Sequence, residues 1–221
     1  MAKEIYGNTL ARSFGLPVPQ IALADFTPDF IGILNSREKD YLSGKHSGVK
    51  FSSELADGMV TVSSALYRNY LNEYDVANVF AFDCLIYNVD RGGFRDKPNL
   101  LVDDESFLLI DHELSFPFAD NEDGLFRKIM QDFRNDRTPY MYQKHLFYSF
   151  LKNMRKRSKI HAFEEFHEYL STLKVQEFEL VINELDRLNI SIGHYDRIIE
   201  YLYTMKSNAE KFCGILCNCI K

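Results

Sequence analysis

Tryptophan is absent from this 221-residue chain, and no stretch of 18 apolar residues occurs in it. The second absence excludes a transmembrane helix, which needs about 20 consecutive apolar residues. The opening segment MAKEIYGNTLARSFG has no long apolar centre and no small-residue cleavage site, so a secretory signal is not expected there. A basic excess is also missing. With 26 Lys and Arg against 32 Asp and Glu, the net charge is -6, which argues against a general nucleic-acid coat. There are four cysteines, three of them in the last nine residues. Their spacing fits no standard zinc pattern, so free thiols in a reducing cytoplasm are the default expectation. Repeats and low-complexity linkers are lacking, and no G-x-G-x-x-G phosphate loop is present.

What is present is a globular composition, 46% hydrophobic and 26% charged, with 18 Phe and 13 Tyr to fill a core. Ala2 to Phe14 reads as a helix with Gly15 as its cap, and Pro17 and Pro19 force an extended exit. The apolar runs at 21–24 and 30–34 read as strands, and 35–58 as an irregular connection. Helices are expected at 63–70 and 74–87. Asn99 to Val102 and Phe107 to Ile110 read as a hairpin joined by Asp103-Asp104-Glu105-Ser106. From residue 120 the pattern is helical, with candidates at 122–133, 139–154, 161–172, 175–188, 194–206 and 207–219. The fold class is therefore α+β, a few strands followed by a mainly helical half.

The chemistry concentrates in residues 88–116. A two-stranded hairpin sets its outer ends side by side, so Asn99 and Asp111 should meet, and Asp90 can reach the same place from the preceding loop. Two oxygen donors, Asn99 and Asp111, suit Mg²⁺, and a separate Asp90 could orient a hydroxyl and accept its proton. Spacing leaves a second reading open, in which these residues are turn-formers and caps. An aspartate closing the apolar strand Leu108-Leu109-Ile110 favours the first, because a carboxylate at a buried strand end must be paired or coordinated. The basic run Lys152, Arg155, Lys156, Arg157 and Lys159 is read as a solvated helix end. No clear nucleic-acid site emerges.

Asn88-Val89-Asp90-Arg91, Pro98-Asn99-Leu100-Leu101 and Ile110-Asp111-His112 resemble the catalytic segment of HipA-like kinases, and more distantly that of phosphatidylinositol 3/4-kinases. Leu10-Ala11-Arg12, Gly15 to Pro19 and Gly48 to Ser53 resemble the same family's earlier segments, so the likeness covers roughly residues 1–120. It implies a single kinase-like domain over 1–221: a small-lobe remnant and connection (1–60), a catalytic hairpin region (61–120) and a helical subdomain (121–221). It implies a Mg²⁺- and ATP-dependent phosphotransferase acting on Ser or Thr of a protein substrate. Asp90 would be catalytic, Asn99 and Asp111 would hold the metal, and Glu4 and Arg91 would serve the nucleotide site, Glu4 as the helix glutamate that pairs with a lysine. The family's strands carrying that lysine and a glycine-rich turn have no counterpart here, which leaves Lys45, Lys50 and Lys97 as substitutes. The expectation is then a truncated unit completed by another polypeptide, or a catalytically inactive binding module. A small-molecule kinase of the aminoglycoside type is a third implication.

Overall fold

The computed structural model describes residues 1–42, 47–62, 75–92, 97–104, 106–120, 123–139, 141–191 and 193–221. Helix α1 (Ala2–Ser13) buries Ile5, Tyr6, Leu10 and Ala11. It ends as its sequence predicts. Gly15 takes a φ of 66°, its N–H donates to Arg12 O, and the Leu16 N–H donates to Ala11 O, both at 3.0 Å. These two bonds close the last turn around a left-handed glycine. The Pro17–Pro19 exit is then held to the helix by Asn8 Nδ2 and Arg12 Nη2, which both donate to Pro19 O.

Strand β1 (Ile21–Phe26) pairs antiparallel with β2 (Gly48–Ser53), Leu23 facing Phe51. Two expectations fail between them. Residues 30–34 are not a strand, because α2 (Pro28–Ile33) forms there. Thr27 Oγ1 accepts the Phe30 N–H at 3.1 Å and Pro28 occupies the first turn, a helix start that outweighs the short apolar run. The 35–58 connection is also more ordered than expected. Asn35 Oδ1 accepts the Glu38 N–H at the head of α3 (Ser36–Leu42), and β2 follows.

A second sheet contains β3 (Val60–Thr61), β4 (Leu100–Val102) and β5 (Phe107–Leu109) in antiparallel order. The hairpin β4–β5 was expected; β3, only two residues long, was not. Helix α4 (Val76–Ile86) falls within the expected 74–87, capped by Asp75, whereas the helix expected at 63–70 lies outside the described residues. Then come α5 (Asp123–Arg134), α6 (Tyr148–Lys152), α7 (Lys156–Ile160), α8 (Glu164–Thr172), α9 (Val175–Arg187), α10 (Tyr195–Ser207) and α11 (Ala209–Cys219). The single helix expected over 139–154 is broken. Among the described residues there only a 3-10 turn at 142–144 and α6 form, and His145 between them is extended.

One hydrophobic core joins α1, α4, the hairpin and the C-terminal helices. Phe14 stacks on Phe166 of α8, and Tyr6 meets Phe178 of α9 edge to face. Helix α4 lies at its centre with ten of eleven residues buried, and Tyr201 of α10 donates its hydroxyl to Leu85 O at 2.8 Å. The basic run spans α6 and α7, and Lys159 donates to both Lys152 O and Ile220 O, tying the helix end to the last turn of the chain. All four cysteines are free thiols, three of them buried. No helix among the described residues is long and apolar enough to cross a membrane.

Candidate active site

The site forms where the end of α4, the loop after it and the open end of the β4–β5 hairpin converge. Asp83 of α4 is buried among apolar side chains, and both of its oxygens are used. Asn88 Nδ2 donates to Oδ1 at 3.1 Å. Arg91 Nε, at 2.6 Å, and His145 Nε2, at 2.9 Å, meet Oδ2. The Phe147 N–H donates to His145 Nδ1 at 3.1 Å, which assigns the proton on this ring to Nε2 and makes it a donor to Asp83. Burial works to raise the Asp83 pKa, but the Arg91 charge and the His145 hydrogen bond outweigh it and hold the carboxyl down at about 2. The same inward pull on His145 explains the broken helix at 139–154: the residue is extended because its ring is bound to Asp83.

Arg91, which the resemblance set at the nucleotide, is fully buried. Its Nε serves Asp83 and its Nη1 donates to Asn99 O. It is a clamp between α4 and the hairpin, with no exposed surface. The loop closes tightly beside it. The Gly92 N–H donates to Lys97 O, and the Leu146 N–H donates to Arg91 O. Gly92 has a φ of 78°, and an added Cβ would lie 2.9 Å from Leu146 N, so only glycine fits.

The hairpin ends do lie side by side, for the Ile110 N–H donates to Asn99 O at 3.2 Å. Asn99 and Asp111, which flank the hairpin, both adopt left-handed backbone, with φ of 45° and 60°, a conformation that Asn and Asp tolerate best after glycine. Asn99 Nδ2 donates to Asp90 Oδ2 at 3.3 Å. Asp90 is only 1% exposed, and its Oδ1 has no hydrogen-bond partner among the described residues. Asp111 is half-buried. Desolvation raises its pKa, and the charges of Glu113, Glu4 and Asp90 raise it further, with Lys97 working the other way. Asp90, Asn99 and Asp111 thus come together in one acidic corner.

Glu4 reaches this corner from α1. Its Oε2 accepts the His112 N–H at 2.6 Å, and its Oε1 lies 3.5 Å from His112 Nδ1. Burial raises the Glu4 pKa, yet its contacts with His112 win and leave it below the usual carboxylate range. The expected lysine partner is not what Glu4 holds; it anchors the backbone one residue past Asp111. His112 is fully buried against Gly7, where an added Cβ would stand 2.3 Å from His112 Cβ. Gly7→Ala gains helix propensity, but the clash is the larger effect. It is expected to cost about 1–3 kcal/mol, read as a lowered midpoint in thermal unfolding.

In front of the corner lies a groove of ≈ 420 Å³ lined by Met1, Glu4, Pro19, Lys50, Phe51, Ser53, Ile110, Asp111 and Glu113. Among the described residues no group of three or more His, Cys, Asp or Glu side chains could by itself hold a metal ion. A Mg²⁺ site needs less than that: one or two carboxylates, with phosphate oxygens and water completing the shell.

Two residues of this arrangement escaped sequence reasoning. Asp83 carried a signal, a carboxylate inside an otherwise apolar helix, which must find partners. His145, 62 residues away, carried none.

An aspartate and an asparagine in contact beside a second aspartate at a hairpin end form an arrangement suited to phosphoryl transfer. A family model described as HipA-like kinase matches residues 1–162. The chain belongs to the HipA-like kinase family, and with it to the class of kinase-like phosphotransferases. Neither the curated proteins nor the solved structures contain a match.

Proposed function

We propose that this chain is an ATP- and Mg²⁺-dependent phosphotransferase with a kinase-like two-lobed domain, acting in the cytoplasm on a Ser or Thr hydroxyl of a protein. The observation that carries the reading is the convergence of Asp90, Asn99 and Asp111 at the open end of the β4–β5 hairpin. The donor set suits the metal. Asp111 sits among carboxylates whose mutual repulsion a divalent cation would relieve, and Asn99 offers a neutral oxygen beside it. Asp111 and Asn99 would hold Mg²⁺, which when bound neutralises charge on the nucleotide phosphates. Asp90 Oδ1, buried and without a partner, would accept the substrate hydroxyl's hydrogen bond and then its proton. Arg91 acts through Asn99 by fixing its carbonyl. The free thiols fit a reducing compartment.

The test is titration of Mg-ATP into the parent chain and into Asp111→Ala, followed by transfer of the γ-phosphoryl group to protein and small hydroxyl acceptors. Binding is expected in the parent and lost in the variant; a variant that binds as well as the parent would sink the reading. The pH dependence has a defined sign. Protons and Mg²⁺ compete for Asp111, and its pKa is raised. Metal-dependent affinity should therefore fall, on acidification, at a pH above the roughly 3.9 of an ordinary aspartate.

A second reading has one observation in its favour: Glu4 is committed to His112 rather than to a lysine. Under it the chain is a binding module, or half of a kinase whose phosphate-binding residues come from a completing polypeptide. ATP binding without transfer by the isolated chain supports this reading.

A further inference from the structure

From Arg137 to Phe163 the chain contains no Asp or Glu and seven Lys and Arg. With a net of -6 for the whole chain, the remaining residues carry -13. Cations at a helix C-terminus are accounted for by the helix dipole, and the structure keeps that account for two of the five at 152–159. Lys152 is the last residue of α6. Lys159, in the last turn of α7, donates to Lys152 O and Ile220 O. Arg155 and Lys156 stand at the other end of α7, as its N-cap and first residue, where the dipole disfavours a cation. Arg157 adjoins them. All three side chains are exposed, and among the described residues none has a carboxylate partner. Glu164, the next carboxylate along the chain, is bonded to His161 at 2.5 Å. Ile160 is 68% exposed. It lies four residues after Lys156 and three after Arg157, so the three share one face of α7. A lone exposed isoleucine is ordinary; one set beside unpaired cations is a combination that a partner can use.

We propose that Arg155, Lys156, Arg157 and Ile160 form a docking surface for an acidic protein segment with an apolar side chain among its carboxylates. The groove's lining includes no residue of α6 or α7, and the assignment does not rest on the phosphotransferase reading. Charge complementarity sets the sign of the partner: arginine pairs bidentately with carboxylates and is enriched at protein interfaces. Ile160 sets its class. An acidic peptide can lay a leucine on Ile160, whereas a phosphate backbone has no apolar group to cover it. The charge of the remaining chain points the same way. A nucleic acid carries closely spaced phosphates and would run past these cations onto an otherwise acidic molecule, whereas a peptide's carboxylates can end where the cations end. A membrane surface fits less well. Helix α7 has five residues, and Ile160 is its one apolar side chain, well short of the apolar face that an interfacial helix buries.

The experiment measures fluorescence anisotropy at an ionic strength of about 0.15 M with four labelled probes. These are a peptide of glutamates around a central leucine, the same peptide with serine for the leucine, a single-stranded oligonucleotide of equal charge, and vesicles containing phosphatidylserine. The proteins are the parent chain, the combined variant Arg155→Ser, Lys156→Ser and Arg157→Ser, and Ile160→Ser, with thermal unfolding to verify that each is folded. The parent should bind the leucine peptide more tightly than the other three probes. The combined variant should lose about tenfold or more of that affinity. Ile160→Ser should lose about threefold or more for the leucine peptide and nothing for the serine peptide. A parent that does not bind the leucine peptide, or a combined variant that binds it as well as the parent, overturns the assignment. Tighter binding of the oligonucleotide or the vesicles overturns it in favour of that partner. Ile160→Ser with no loss, or with equal losses for both peptides, overturns it as well, since the isoleucine would then meet no apolar group of the ligand.

Discussion

Asp90→Asn is expected to lower phosphoryl transfer by about 10²–10⁴-fold, the usual contribution of a positioned general base, while Mg-ATP binding and folding persist. Asp90 Oδ2 accepts from Asn99 Nδ2, and an amide oxygen in its place accepts the same bond. The substitution removes a buried negative charge without changing side-chain volume, so the native state should lose little stability. What disappears is the acceptor at Oδ1, which has no other partner among the described residues and is the atom that would take the hydroxyl proton. Measuring kcat and the Mg-ATP dissociation constant separates the roles. A fall in kcat alone supports Asp90 as the hydroxyl's partner. An unchanged kcat would return Asp90 to the status of a turn residue bonded to Asn88 and Asn99.

The second large effect is on stability. Asp83→Ala removes the acceptor for Asn88, Arg91 and His145 in one step and strands a fully buried guanidinium. Breaking a buried pair from one side costs about 3–5 kcal/mol, a large share of the roughly 5–15 kcal/mol by which a domain of this kind is stable. Urea unfolding at neutral pH should show the midpoint falling accordingly. The pH profile adds a signature. Because the folded-state pKa of Asp83 is depressed to about 2, its stabilising contribution is complete above the unfolded value of about 3.9 and is lost as the pH falls through about 2. The parent should therefore shed stability across that window by an amount that Asp83→Ala does not. Asp83→Leu combined with Arg91→Met, which removes both charges, should regain much of the stability. It should not regain activity, because the Arg91 bond that fixes the Asn99 carbonyl is gone. Recovery of both would show that the network only fills space.

These two aspartates differ in how far the chain's own pattern reveals them. Asp90, Asn99 and Asp111 lie within 22 positions of one another, joined by a loop and a hairpin whose strands alternate and whose turn is polar. Local rules suffice to bring them together, and the Ile110–Asn99 backbone bond follows from the same pairing. The cap of α1 at Gly15 is legible for the same reason, since it depends on one residue's backbone freedom. The departure from a strand at 30–34 is also local: Thr27-Pro28-Asp29 is a helix start that outweighs the four apolar residues around Gly32. The break at His145 is of another kind. Nothing in residues 139–154 apart from Pro139 interrupts a helical pattern, and the interruption comes from a carboxylate 62 residues earlier.

By itself, then, the amino-acid sequence determined the hairpin, its flanking carboxylates and the family they mark, because each depends on neighbours along the chain. Only the tertiary structure decided that Arg91 clamps Asp83 to the hairpin and that Glu4 holds the backbone after Asp111. A buried ion or hydrogen-bond donor takes whichever partner packing brings within about 3 Å. That choice is made between α4, the loop after it and the α6 approach, and between α1 and the hairpin, segments whose separation in sequence carries no trace of their contact.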